Sequence, residues 1–190
     1  PISVYRAGGW SLQPFENIRE AFIQTGVKVD STVFKGGYLK DETHFFDFRE
    51  IPLKEKWRFT DDLCKENLNG IFMEVPISAY NYSPIFFWKL FGLGRLFPKK
   101  HKAIGDGIAV PSKGMKWKYL TSTQNLPVSS DGFFASKLAN ALRKLKSEGM
   151  NNMVVIGHPK ACTEFSLEKL DEFMEKSKKS NDFLSMDTIV

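Results

Sequence analysis

The stretch ISVYRAGGWSLQPFENIREAFIQTGVKVDSTVF, residues 2–34, decides how the rest of the chain is read. Ile2 to Tyr5 is a short β-branched and aromatic run that stops at Arg6-Ala7-Gly8-Gly9, the pattern of a strand leading into a loop. Pro14 opens a helix at a favoured first-turn position. Phe15, Ile18, Ala21 and Phe22 recur at three-to-four spacing as its apolar stripe, and Gly26 ends it. Val27 to Phe34 is the next strand, with Val27, Val29 and Val33 as its branched positions. A strand, a helix and a second strand in this span have the size of a βαβ unit.

The same alternation continues outward. Ile71 to Ala79 reads as a strand in which Pro76, lacking an N–H, marks an edge or bulge. Phe133 to Glu148 is a helix with Phe134, Leu138, Ala141, Leu142 and Leu145 as one stripe, stopped by Gly149. Met153 to Ile156 is fully apolar, as expected of a buried parallel strand, and delivers Gly157-His158-Pro159. Ser166 is expected to cap the next helix, with Leu167, Leu170, Phe173 and Met174 inward, and Phe183 to Met186 to form a last strand. The pattern predicts an α/β fold, its parallel sheet open or closed into a barrel. Strands near 2–6, 27–34, 71–79 and 153–157 would share one sheet, with helices 14–25, 133–148 and 166–177 outside it. In either form, sites gather at the carboxyl ends of strands. Arg6, Asp30 and His158 all fall at or near such ends.

A chain of 190 residues is one ordinary domain, and 42% hydrophobic with 26% charged residues is a globular composition. Aromatics at 14%, 17 of them Phe, exclude a disordered chain. Cys64 and Cys162 are too few for a disulfide scaffold, form no CxxC knuckle and fit a reducing compartment. The beginning of the sequence shows no basic and apolar leader. The expected location is therefore cytoplasmic, at the membrane periphery if the aromatic segment below meets lipid. The net charge is +5, with a pI of about 9.1. Arg95, Lys99, Lys100, Lys102, Lys113, Lys116 and Lys118 fall in one stretch whose single acid is Asp106. That stretch is either a solvated loop or a patch for a phosphate-bearing lipid or polymer. No recognised nucleic-acid motif accompanies it, so nucleic acid is not an expected partner. Just before it, Pro84 to Phe97 is rich in aromatics, too short to span a bilayer, and carries Lys89 and Arg95. It reads as a lid or barrel-closing helix, or as an interfacial helix, within an excursion over residues 84–131.

The candidate chemistry is sparse. His158 ends a buried strand, where an imidazole is placed for proton transfer. Arg6, before Gly8 and Gly9, is placed to hold a carboxylate or to make a structural ion pair. Asp30, among apolar strand neighbours, needs a cation or several donors if buried. Asp61 and Asp62 form a carboxylate pair that serves a metal or acid/base chemistry, or one of them caps a short helix starting near Leu63. Gly105-Asp106-Gly107 reads as a turn. His44 and His101 have no metal-ligand spacing to each other or to His158, and no P-loop, GxGxxG or Ser/His/Asp signature occurs.

Taken together, Arg6-Ala7-Gly8-Gly9-Trp10-Ser11, the helix after it, and Gly26-Val27-Lys28-Val29-Asp30-Ser31-Thr32 resemble the Arg loop and Asp-Ser-Ser strand of NodB-type polysaccharide deacetylases. Ile156-Gly157-His158-Pro159 resembles that family's last motif, an apolar strand closing in His-Pro. The runs Asp47-Phe48-Arg49 and Trp57-Arg58-Phe59 are similar to a branch found among surface-polysaccharide biosynthesis proteins. The resemblance implies a distorted (β/α) barrel that removes acetyl groups from N-acetylated sugars with a divalent metal, zinc most often. It implies that Arg6 holds the catalytic base and that His158 protonates the leaving amine. Asp30 belongs to the same catalytic group, and Trp10, Trp57, Asp61 and Asp62 line the sugar pocket. The family's Asp-Asp pair and His-x-x-x-His metal motif precede the Arg loop, and here that loop begins near the first residue. The expectation is thus a carboxy-terminal part of such a barrel, incomplete without its amino-terminal strands, with no metal of its own. An open barrel edge would favour association with itself or with the remaining half. The partners implied are a carbohydrate substrate and a membrane surface or lipid-linked glycan. A non-catalytic carbohydrate-binding or scaffold protein, and an unrelated small α/β domain binding an anionic partner through residues 95–118, are the alternative readings.

Overall fold

The computed structural model describes residues 3–105 and 115–189; Ile2, Asp106, Gly107 and Lys113, singled out above, lie outside them. The described residues divide into two compact units. One is drawn from Pro1–Ser78, Met150–Asn152 and Phe183–Val190, the other from Ala79–Gly149 and Met153–Asp182. The architecture is mixed α/β, with small sheets and short strands.

In the first unit the elements are β1 (Val4–Tyr5), α1 (Glu16–Thr25), β2 (Val29–Asp30), β3 (Tyr38–Lys40), β4 (Phe45–Asp47), β5 (Trp57–Phe59) and β6 (Phe72–Glu74). The main sheet has the order β1-β2-β6-β5, the first three strands parallel and β5 antiparallel to β6. β3 and β4 pair separately as an antiparallel ribbon. Phe15 and Phe22 of the expected α1 stripe are buried. Phe15 meets Phe22, Phe59 and Phe72 edge-on at 5.0–5.2 Å between ring centroids. Such pairs contribute about 0.5–1.5 kcal/mol each beyond burial. Ala21, expected on that stripe, is exposed. Gly26 closes the helix with φ 76°, the left-handed conformation that glycine adopts at no steric cost. Gly70 packs so tightly on β5 that a Cβ would lie 2.4 Å from the Phe59 carbonyl oxygen.

The strand expected over Val27–Phe34 is only Val29–Asp30. The Asp30 carboxylate accepts the N–H of Thr32, and this local turn lifts the chain out of the ladder before Phe34 returns with a single bridge to Ile77. β6 likewise ends at Glu74, two residues before Pro76. Phe183 to Met186 forms no strand; a 3₁₀ turn covers Met186–Ile189.

The second unit contains β7 (Ala79–Tyr82), α2 (Pro84–Leu96), α3 (Pro98–His101), α4 (Met115–Thr121), β8 (Gln124–Pro127), α5 (Leu138–Ser147) and α6 (Glu164–Ser177). β7 and β8 pair antiparallel, so the expected excursion over 84–131 returns to the strand that precedes it. One core joins Val128, Ala135, Leu138, Ala141 and Phe173; another joins Tyr82, Phe86 and Phe87. The start of the helix expected from Phe133 is a 3₁₀ turn, Gly132–Lys137, which runs into α5.

Two expectations are corrected in this unit. Met153–Ile156 does not join the four-stranded sheet: Ile156 makes one parallel bridge, to Ser129. An apolar run specifies burial but not a strand partner, and here Met153 and Val155 pack on the α5–α6 core instead. The cap of α6 is Thr163, not Ser166. Thr163 accepts the Ser166 N–H, and the Ser166 hydroxyl accepts the Thr163 N–H, a reciprocal capping box. With the helix starting at Glu164, the inward face is Ser166, Leu170, Phe173 and Ser177, while Leu167 and Met174 are exposed.

Candidate functional site

The parallel register places Tyr5 beside Asp30 and Asp30 beside Glu74 at the carboxyl ends of β1, β2 and β6. Side chains at matched positions of neighbouring parallel strands share a face, so the Asp30 and Glu74 carboxyls lie side by side. Both residues are fully buried. Asp30 Oδ2 accepts the Thr32 N–H at 3.0 Å, and Oδ1 accepts the Thr32 hydroxyl at 2.8 Å. Thr32 Oγ1 in turn accepts the Ala7 N–H at 2.9 Å, fastening the Arg loop to the end of β2. Glu74 Oε1 accepts the Val33 N–H at 3.1 Å, whereas Oε2 meets no ordinary donor. Its neighbour is the Asp30 carboxyl, and two carboxyls bond only through a proton held between them. Burial, then the charge of Asp30, pushes the Glu74 carboxyl well above the usual range. Burial also raises Asp30, partly offset by its hydrogen bonds from Glu74 and Thr32.

Arg6 makes no ion pair with Asp30 among the described residues. Its Nε donates to the Ser31 carbonyl at 2.8 Å and its Nη2 to the Ser31 hydroxyl at 3.0 Å. Partial burial lowers its pKa, and the charges of Asp30 and Glu74 act the other way. Arginine stays protonated regardless. The guanidinium thus holds the Ser31 corner, and its remaining N–H groups meet no hydrogen-bond acceptor among the described residues.

In the second unit, His158 lies two residues after the single bridge at Ile156 and not, as the sequence predicts, at the end of a strand of the sheet. Its N–H and its Nδ1 both bond the Asp131 carboxylate, each at 2.7 Å. A carboxylate accepts, so Nδ1 carries the proton and the neutral ring has the tautomer that leaves Nε2 to exchange one. The His158 side chain is 52% exposed and that of Asp131 21%, so the pair sits at the surface with its aspartate partly sheltered.

The remaining expected residues scatter. Trp10, half-buried at φ 58°, lies edge-on to Phe34 and Phe46. Trp57 is buried, and its indole donates to the Leu63 carbonyl, a core position rather than a pocket wall. Asp61 pairs with Arg19. Asp62 caps the turn at Leu63, accepting the Cys64 N–H at 2.9 Å, and binds Lys65. Asp62 also lines an open concavity of about 490 Å³ with Gln13, Asp47, Arg49 and Cys64. Burial, followed by the charges of Asp62 and Asp47, pushes the Cys64 thiol up to about 12, which disfavours the thiolate at neutral pH.

Sequence reasoning missed Glu74 and Asp131. A lone acid inside the apolar run Ile71–Ile77 was the available signal for Glu74. Asp131, in Ser129-Ser130-Asp131-Gly132, looks like any turn residue. Among the described residues, no group of three or more His, Cys, Asp or Glu could hold a metal ion, so these side chains do not fit the zinc site that the resemblance implies. No protein-family model, curated protein or solved structure matches the chain.

Proposed function

We propose that this protein is a NodB-like polysaccharide deacetylase, acting in the cytoplasm on N-acetylated sugars of a cell-surface polysaccharide or its lipid-linked precursor. One observation carries the reading. The two motifs behind the resemblance, Arg6 and Asp30-Ser31-Thr32, meet at the carboxyl ends of adjacent parallel strands, joined by the Arg6–Ser31 and Ala7–Thr32 hydrogen bonds. Side chains on the rim of a (β/α) barrel would be joined in this way. In this reading β1, β2 and β6 are part of a distorted barrel.

The reading gives this chain two tasks. Arg6 presents its free donors to the anionic base of the reaction. His158, held by Asp131, acts in its protonated form: Nε2 delivers its proton to the sugar nitrogen as the C–N bond of the water adduct of the amide breaks, which leaves the amine on the sugar and acetate carrying the oxygen of the added water. The divalent ion, zinc in the family, would be held by residues outside those described, and no step at the metal belongs to this chain.

The test measures acetate release from N-acetylglucosamine oligomers by the protein as encoded, loaded with zinc. The expected result is turnover that His158→Ala lowers by about 10²–10⁴ in kcat with little change in KM. Oligomer binding without acetate release would replace the enzyme by a carbohydrate-binding protein. Neither binding nor release would discard both.

A further inference from the structure

We propose that the outer face of α2 and α4 in the second unit is a docking surface for an anionic lipid bilayer. α2 is apolar on nearly every side. Phe86 and Phe87 fill the core with Tyr82, which leaves Ile85, Trp88, Lys89, Arg95 and Leu96 on the opposite, exposed side at three-to-four spacing. The Trp88 indole donates to the Leu120 carbonyl, which seats it on the end of α4. One turn earlier on that helix stands Trp117. Ile85, Trp88, Leu96, Phe97 and Trp117 are all more than half exposed, from 57% at Phe97 to 74% at Trp117. Large aromatics left outside a core in this number mark a surface that meets something.

Charge identifies the occupant. Residues 84–121 carry eight Lys and Arg against one acid, Asp106. Lys100 is neutralised by Glu168 at 2.7 Å. Among the described residues, Lys89, Arg95, Lys99, Lys116 and Lys118 make no ion pair within 4.0 Å. Protein–protein contacts are depleted of lysine at their centres, and a second copy of this face would meet the first with like charge. Tryptophan interleaved with lysine is the composition of the bilayer interface, where the indole sits at headgroup depth and the ammonium groups meet lipid phosphate. The 13 residues of α2 are too few to span a bilayer, and no described helix is long and apolar enough to cross one, so the face lies on the membrane.

The proposal does not depend on the deacetylase reading, and its test contains no sugar. The chain is sedimented with vesicles of phosphatidylcholine alone or mixed with phosphatidylglycerol, at low and high salt, while tryptophan emission is followed. We expect binding to the anionic vesicles, a blue shift of emission, and release by salt. Lys99→Glu with Lys116→Glu should weaken partitioning at least about twentyfold, each basic residue near the surface being worth roughly a fivefold factor. Trp117→Ser, at an exposed position, should remove most of the blue shift and weaken binding with the fold intact by circular dichroism. Equal binding to both vesicle types, or to neither, overturns the proposal. So does anionic binding that Trp117→Ser leaves unchanged, which marks a general polyanion patch. A wild-type dimer that Trp117→Ser makes monomeric overturns it in favour of self-association.

Discussion

Replacing Glu74 by Gln and by Ala separates the roles of its two oxygens. In the folded chain Oε1 accepts the Val33 N–H, Oε2 meets no donor among the described residues, and the Asp30 carboxyl beside Glu74 raises its pKa, so the pair is expected to share a proton. Gln keeps the acceptor and supplies a permanent N–H toward Asp30. Ala removes both, orphaning a buried N–H at about 1–3 kcal/mol and leaving a void where a fully buried side chain stood. The total for Ala is therefore about 3–5 kcal/mol. The pH dependence has a definite sign. Because Glu74 titrates higher in the folded chain than its ordinary value of 4.5, the native state binds more protons than the unfolded one. Its contribution is complete below the ordinary value and is lost as pH rises through the folded one. The wild type should lose up to about 1.4 kcal/mol per pH unit in that window, and Glu74→Gln should flatten the slope. The assay is urea unfolding at a series of pH values between about 5 and 8, with folding confirmed by circular dichroism. A wild-type stability that rises with pH in that window relative to Glu74→Gln would refute the shared proton. A Gln variant as unstable as the Ala variant would refute the hydrogen-bond assignment.

Three further outcomes follow from individual contacts. Iodoacetamide at neutral pH should modify Cys162, which is partly exposed, well before buried Cys64, whose thiol is pushed up to about 12; mass spectrometry of the digest reads the order, and faster labelling at Cys64 contradicts its burial. Thr163→Ala should cost about 1 kcal/mol of unfolding free energy by removing the acceptor at the start of α6, and Thr163→Ser should restore it. Asp131→Ala should free the His158 ring, so that ¹⁵N shifts of the neutral imidazole move from the Nδ1–H form toward the Nε2–H form common in water; an unchanged tautomer would show that Asp131 does not hold it.

The sequence by itself determined whatever depends on neighbours within a few residues. The apolar spacing of Phe15, Ile18 and Phe22 placed α1, and Gly26 ended it, because helix hydrogen bonds and side-chain stripes close over three or four positions. The helices α2, α5 and α6 were legible for the same reason, although the start of α6 was displaced by two residues. Local capping chemistry at Thr163, Glu164, Phe165 and Ser166 offers more than one plausible cap. Strands were overestimated in length, because β-branched runs specify burial and leave open where the ladder stops. Asp30 cut its own strand short by bonding Thr32.

The candidate site divided along the same line. Arg6, Asp30 and His158 could be marked from their places at the ends of apolar runs. Their partners could not, since Ser31 reaches Arg6 across 25 positions, Asp131 reaches His158 across 27 and Glu74 reaches Val33 across 41. Those separations close only when strands choose a register. A shift of one residue between β2 and β6 would turn the Glu74 carboxyl to the opposite face of the sheet from Asp30. The exposure of Trp88 and Trp117 likewise required the packed unit. An aromatic helix reads alike whether its rings fill a core or face outward, and only the packing of Phe86 and Phe87 against Tyr82 decided which rings were left outside.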